Sequence, residues 1–118
     1  MPKVLIVDDA AFMRMRSAKL LTEYGFEVIE AENGIEAVEK YQQYRPDAVL
    51  MDITMPGMDG LTALKEIRAR DPNARVAMVT AMGQQAIVME ALKAGAKDFV
   101  LKPFQPDRIV GALKKILA

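Results

Sequence analysis

Short apolar runs and longer amphipathic stretches alternate five times along the chain. Lys3–Val7 is an apolar run that stops at Asp8-Asp9 and predicts a strand. From Ala11 to Tyr24 the spacing turns helical, with Met13, Ser17, Leu20, Leu21 and Tyr24 near one stripe and Gly25 suited to a left-handed exit. Glu27–Ala31 reads as a second strand whose polar positions suit a sheet edge. Asn33-Gly34 reads as a turn, after which Ile35, Val38 and Tyr41 give a second helix one apolar face ahead of Pro46. Asp47–Met51 predicts a third strand, and Leu61–Arg70 a third helix with Leu61, Leu64 and Ile67 inward, broken by Asp71-Pro72-Asn73. Arg75–Val79 predicts a fourth strand ending in Thr80, and Gln84–Ala94 a fourth helix with Ile87, Val88 and Leu92 as its apolar residues and Gly95 as its stop. Asp98–Leu101 predicts the fifth strand, closing on Lys102-Pro103. Pro106 then starts a last helix carrying Ile109, Val110, Leu113 and Ile116.

This alternation, with short loops, predicts an α/β fold: a doubly wound, five-stranded parallel sheet with helices on both faces. At 118 residues the chain is expected to form one domain over 1–118. Its centre is Ala48–Gly60. Four apolar residues end abruptly in Asp52, and Pro56, Gly57 and Gly60 follow within a few positions. That pattern reads as a strand buried on both faces with a loop at its C-terminal end, the edge at which ligands bind in open α/β sheets.

Composition narrows the chemistry. Sixteen basic and sixteen acidic residues cancel, leaving no global field to steer the chain to nucleic acid or an anionic membrane. No apolar run approaches the length of a membrane span or a secretory signal, so a cytoplasmic location is expected. The sequence contains no cysteine and no histidine, which removes thiol nucleophiles, zinc–thiolate sites and Ser-His or Cys-His machinery. Any metal must therefore be held by oxygen. The nine methionines are dispersed and read as adaptable packing. Balanced charge and the lack of an exposed heptad seam point to a monomer.

In such a sheet every strand points its C-terminal end at the same edge. Asp8 and Asp9 then gather with Asp52, Thr80 and Lys102 from four segments far apart in sequence. Three packed carboxylates repel unless a cation neutralises them, and a hard divalent ion with oxygen ligands, Mg²⁺ above all, is the natural partner. The set suits attack by the Asp52 carboxylate on phosphorus, forming an acyl phosphate. The metal and Lys102 would offset charge on the phosphoryl oxygens, and Thr80 would donate to one of them.

These residues closely resemble the receiver domains of two-component response regulators. The resemblance covers the whole chain through Val7-Asp8-Asp9, Met51-Asp52-Ile53-Thr54-Met55-Pro56 with Gly60, Thr80-Ala81, Gly95-Ala96 and Lys102-Pro103-Phe104. It is strongest to the single-domain chemotaxis members, through Asp8–Arg14, Ala81–Gln85 and Lys102–Gln105. It implies the flavodoxin-like strand order 2-1-3-4-5 and Asp52 as acceptor of a phosphoryl group from a histidine kinase, in chemotaxis CheA. It further implies Mg²⁺ on Asp9, Asp52 and the backbone carbonyl of Thr54, with Asp8 acting largely through water. Thr80 and Lys102 would bind the phosphoryl oxygens, and Phe99 would be the switch aromatic, standing where many chemotaxis members carry tyrosine. A cis Lys102-Pro103 bond is also implied. Thr54 and Met82 would flank the path of a hydrolytic water and tune the phosphoryl lifetime. The implied partners are the kinase, the flagellar motor switch protein FliM and a phosphatase.

Three other readings compete. A receiver excised from a multidomain regulator keeps the fold, but the chain carries no basic helix-turn-helix after the fifth helix. A haloacid-dehalogenase-like hydrolase would need an Asp two residues after Asp52, where Thr54 stands. A phosphate-independent scaffold has no need of the acid–Thr–Lys set. Nucleotide binding is unsupported, because no Gly-x-Gly-x-x-Gly or Walker loop follows any strand.

Overall fold

The computed structural model describes residues 1–102 and 105–118. Strands and helices alternate as β1 (Lys3–Val7), α1 (Ala11–Glu23), β2 (Glu27–Ala31), α2 (Gly34–Tyr44) and β3 (Ala48–Asp52), then α3 (Gly60–Arg70), β4 (Val76–Thr80), α4 (Gln85–Lys93), β5 (Asp98–Leu101) and α5 (Pro106–Leu117). All strand pairs are parallel, in the order β2-β1-β3-β4-β5. β2 lies at an edge, in keeping with its polar positions.

Alternate side chains of the sheet build two core layers. Leu5, Val7, Val49, Met51, Val76 and Met78 meet Val38 and Tyr41 of α2, Leu64 and Ile67 of α3, and Val88 of α4. Val4, Ile6, Leu50, Ala77 and Val79 turn the other way, to Leu21 of α1 and to Ile109, Val110, Leu113 and Ile116 of α5. Burial on both faces is why β1, β3 and β4 read as unbroken apolar runs. The chain passes from β1 outward to β2, then doubles back beyond β1 to β3. Right-handed crossovers running in opposite directions place α1 and α2 on opposite faces. The reversal leaves a crevice between the C-terminal ends of β1 and β3.

Several boundaries and faces differ from the sequence expectation. β3 begins at Ala48 rather than Asp47 and includes Asp52. Asp47 instead ties the opposite end of the sheet, its carboxylate accepting from the Lys3 N–H at 2.7 Å, while Asp52 takes the register position beside Val79. β4 likewise extends to Thr80. Asn33 is not part of a free turn but the N-cap of α2, its side chain accepting from the Glu36 N–H at 2.8 Å. Tyr24, Ile35 and Leu92, expected inward, lie at the surface. The buried arcs of their helices are set instead by Ser17 and Leu21, by Gly34, Ala37, Val38 and Tyr41, and by Val88 and Ala91. Small residues on these arcs allow the helix backbones to approach the sheet. The expected cis Lys102-Pro103 bond lies outside the described residues. No helix among them is long and apolar enough to cross a membrane.

One buried phenol gives the fold a pH dependence. The Tyr41 hydroxyl donates to Asp71 Oδ2 at 2.7 Å, joining α2 to the end of α3. Burial, then the Asp71 carboxylate, push the Tyr41 pKa up, so the phenol stays a donor. That hydrogen bond and one from the Asn73 N–H hold Asp71 below its ordinary value. A lowered carboxylate pKa stabilises the fold above the unfolded value of about 3.9, and the contribution is lost as pH falls through the folded value. Tyr41→Phe should therefore cost about 1 kcal/mol near neutrality, a figure discounted for the solvent exposure of Asp71. Urea unfolding should show the difference shrinking as the carboxylate protonates; an equal deficit at all pH values would contradict this account.

Candidate functional site

Four strands deliver the predicted residues to one end of the sheet. Asp52 closes β3 and is 6% exposed. Its Oδ1 accepts from the Thr54 N–H at 3.4 Å, and its Oδ2 faces Lys102 Nζ at 3.1 Å. Asp8, just past β1, is also buried. Its Oδ1 accepts from the Ala10 N–H at 2.9 Å, and its Oδ2 lies 3.5 Å from the same ammonium. Asp9 is exposed. Oxygens of Asp8, Asp9 and Asp52 lie within 4.8 Å of one another. Asp9 also borders an open cleft of about 410 Å³ formed with Glu32, Asn33, Ile35, Pro56, Gly57 and Met58.

The electrostatics are unbalanced. Three carboxylates meet one lysine, and burial pushes the Asp52 carboxyl above its ordinary value; Lys102 pulls it back, and Asp8 adds to the rise. For Lys102, burial opposes the charged form, but Asp52 and Asp8 outweigh it and hold the ammonium pKa above its ordinary value. The residual negative charge and the all-oxygen donor set fit a hard divalent cation that uses few protein carboxylates.

Local structure fixes these groups. Arg14 of α1 donates from Nη1 to the Asp8 carbonyl at 2.7 Å and pairs through Nε with Glu30 of β2 at 3.1 Å. It thereby anchors the loop that carries Asp8 and Asp9. The loop after β3 folds back until the Gly60 N–H reaches the Ile53 carbonyl at 2.9 Å. A Cβ at Gly60 would fall on the Asp52 carbonyl oxygen and lie 2.9 Å from Ile53 Cα. Asp59 then caps α3, accepting from the Thr62 N–H at 2.8 Å.

Thr80 arrives at the same edge, but its hydroxyl is engaged elsewhere, donating to Gln84 Oε1 at 2.9 Å. The same oxygen accepts from the Ala81 N–H at 2.7 Å, and Gln84 Nε2 donates to Thr54 Oγ1 at 2.6 Å. Gln84 is the functional candidate that sequence reasoning missed, since the sequence presents it only as the start of a helix and part of a motif. Its position four residues past Thr80, as the first polar side chain after it, is the available signal. Arg14 was missed likewise. Phe99, on β5, is 37% exposed. With Thr80, Val88, Met89 and Leu101 it lines an apolar cavity of about 190 Å³. Met82 is exposed on the β4–α4 loop.

A family model described as response regulator receiver domain matches residues 4–114. The chain is 60% identical to the chemotaxis protein CheY of Bacillus subtilis over 98% of its own length and 97% of that protein. It is 62% identical to the CheY of Thermotoga maritima, over 97% and 96% of the two chains. Among solved structures, a response regulator receiver domain protein from Clostridium thermocellum superposes with a TM-score of 0.96. That match has 26% identity and covers 99% of this chain and 94% of that one.

Proposed function

This chain belongs to the response regulator receiver domain family, and on that premise we propose that Asp52 is the phosphoacceptor of a phosphorylation-activated chemotaxis regulator. It is a signalling protein rather than a conventional enzyme. One observation carries the assignment: Asp52 is buried at the end of β3, with an ammonium at 3.1 Å and two more carboxylates within reach. An Asp52 oxygen attacks the phosphorus of the donor, a new P–O bond forms, and the bond to the leaving group breaks with its electron pair departing on that group. Lys102 stabilises charge on the phosphoryl oxygens and orients the carboxylate.

Asp8, Asp9, Asp52 and the backbone carbonyl of Thr54 would hold Mg²⁺. The ion supplies positive charge against the electron-rich phosphoryl group. Thr80 would turn to the phosphoryl oxygens after transfer. The cavity it shares with Phe99 supports a switch in which Phe99 rotates inward and reshapes the surface of α4, β5 and α5. Thr54 and Met82 would tune the lifetime of the adduct. The proposed partners are a histidine kinase of the CheA type, a FliM-like motor switch protein and a phosphatase, met in the cytoplasm by a monomer working as one domain over 1–118.

Intact-protein mass after incubation with acetyl phosphate tests this reading. One phosphoryl group per chain is expected with Mg²⁺ and none with EDTA, with phosphate release followed in the same tube. Neither adduct nor released phosphate in the presence of Mg²⁺ would overturn it.

A further inference from the structure

Gln84 immediately precedes α4, yet its side chain makes no capping bond to that helix. It reaches back over the β4–α4 loop instead. Both acceptor sites of its amide oxygen are used, by the Thr80 hydroxyl and the Ala81 N–H, and its amide nitrogen donates to Thr54. The Thr80 hydroxyl carries a single proton, and Thr80 is 2% exposed; Gln84 Oε1 at 2.9 Å is the nearer of its two acceptors, ahead of the Ala81 carbonyl at 3.3 Å. One side chain thus engages the donors at the end of β4 and ties them to the loop that follows Asp52.

We propose that Gln84 is a positioning residue, a latch that withholds the Thr80 hydroxyl and the Ala81 N–H from a phosphoryl group on Asp52 and so stabilises the resting state. The proposal rests on the reading of Asp52 as the phosphoacceptor. An arriving phosphoryl group brings three strong acceptor oxygens. To engage the two donors it must displace Gln84 Oε1, and the amide then leaves Thr54 as well. Gln84 also accepts the Val88 N–H through its backbone carbonyl at 3.0 Å, within the first turn of α4. Release of the latch is therefore transmitted directly to the start of that helix. A ligand shifts a two-state element only by its difference in affinity for the two states, and the amide sets part of that difference by competing for the same donors.

Beryllium fluoride with Mg²⁺, a non-transferable phosphoryl stand-in, provides the test by calorimetric titration. Gln84→Ala frees the donors and should bind it about threefold to tenfold more tightly than wild type, the effect of roughly one net hydrogen bond. Gln84→Glu keeps acceptors for Thr80 and Ala81 but adds a repelling charge, so it should bind more weakly than wild type. In a Thr80→Ala background the gain from Gln84→Ala should shrink, because half of what the latch withholds is already gone. A merely structural role for Gln84 predicts weaker binding in both single variants. Binding by Gln84→Ala at or below the wild-type level would overturn the latch while leaving Asp52 as phosphoacceptor. A Gln84→Glu variant binding as tightly as Gln84→Ala would also overturn it. No binding by the wild-type chain would overturn both readings.

Discussion

Asp52→Asn should take up no phosphoryl group from acetyl phosphate and Mg²⁺, and should be more stable than the wild-type chain when measured in EDTA. The first effect is complete loss: an amide oxygen is too poor a nucleophile to attack phosphorus, and no cysteine or histidine elsewhere can substitute. The second follows from the crowding of Asp8, Asp9 and Asp52. Burial raises the Asp52 pKa in the folded chain, so protonated Asp52 favours folding and ionised Asp52 opposes it. The stability present below the unfolded value of about 3.9 is lost as pH rises through the folded value. The amide of Asp52→Asn never ionises and keeps that stability at neutral pH, so its urea midpoint should lie above that of the wild-type chain. Intact mass reports the first effect and the urea midpoint the second, with the gap closing in acid. Phosphorylation of the Asp52→Asn chain would remove Asp52 as acceptor, and a lower urea midpoint would mean that Lys102 more than balances the site.

Gly60→Ala should be among the most damaging single-methyl additions in the chain, costing about 3 kcal/mol. The added carbon would strike the backbone of Asp52 and Ile53, which cannot rotate away as a flexible side chain can. Either β3 loses its end or α3 shifts outward, and both move the carboxylate that the site is built on. Mg²⁺ affinity should fall together with the urea midpoint. Gly25 is the internal comparison. It has φ +91° and open space where a Cβ would go, so Gly25→Ala carries only conformational strain of about 1 kcal/mol and leaves the metal site unaffected. Equal losses for the two variants would show that contact with β3 is not the cause.

Much of this architecture is legible in the sequence because burial writes itself into periodicity. The doubly buried strands β1, β3 and β4 appear as continuous apolar runs, and α5 displays its inward face in Ile109, Val110, Leu113 and Ile116. The site is legible too, since parallel strands deliver Asp8, Asp52, Thr80 and Lys102 to one edge. The order of strands is not: periodicity says that a strand is buried but not beside which neighbour, and the order came from family resemblance. Helix phase fails at Tyr24, Ile35 and Leu92, where an apolar side chain lies beside the buried arc rather than on it. The role of Gln84 is hidden for another reason. Its contacts depend on a loop bringing an amide within reach of two threonines, one four residues before it and the other thirty, and no pattern of polarity encodes that.

The placement of α4 and α5 in different core layers, with edge strand β5 between them, has a mechanical consequence. A partner seated across α4, β5 and α5 grips both layers at once, as a clip closes over the margin of a sheet of paper. A fold opens locally as well as globally, and anything bound only to the closed form raises the cost of opening the elements it covers. Amide protons of β5, α4 and α5 should then slow their exchange together on docking, although the two helices share no layer. On the proposed reading, the margin that would carry the switch is thus also the part of the molecule that would gain most rigidity on docking.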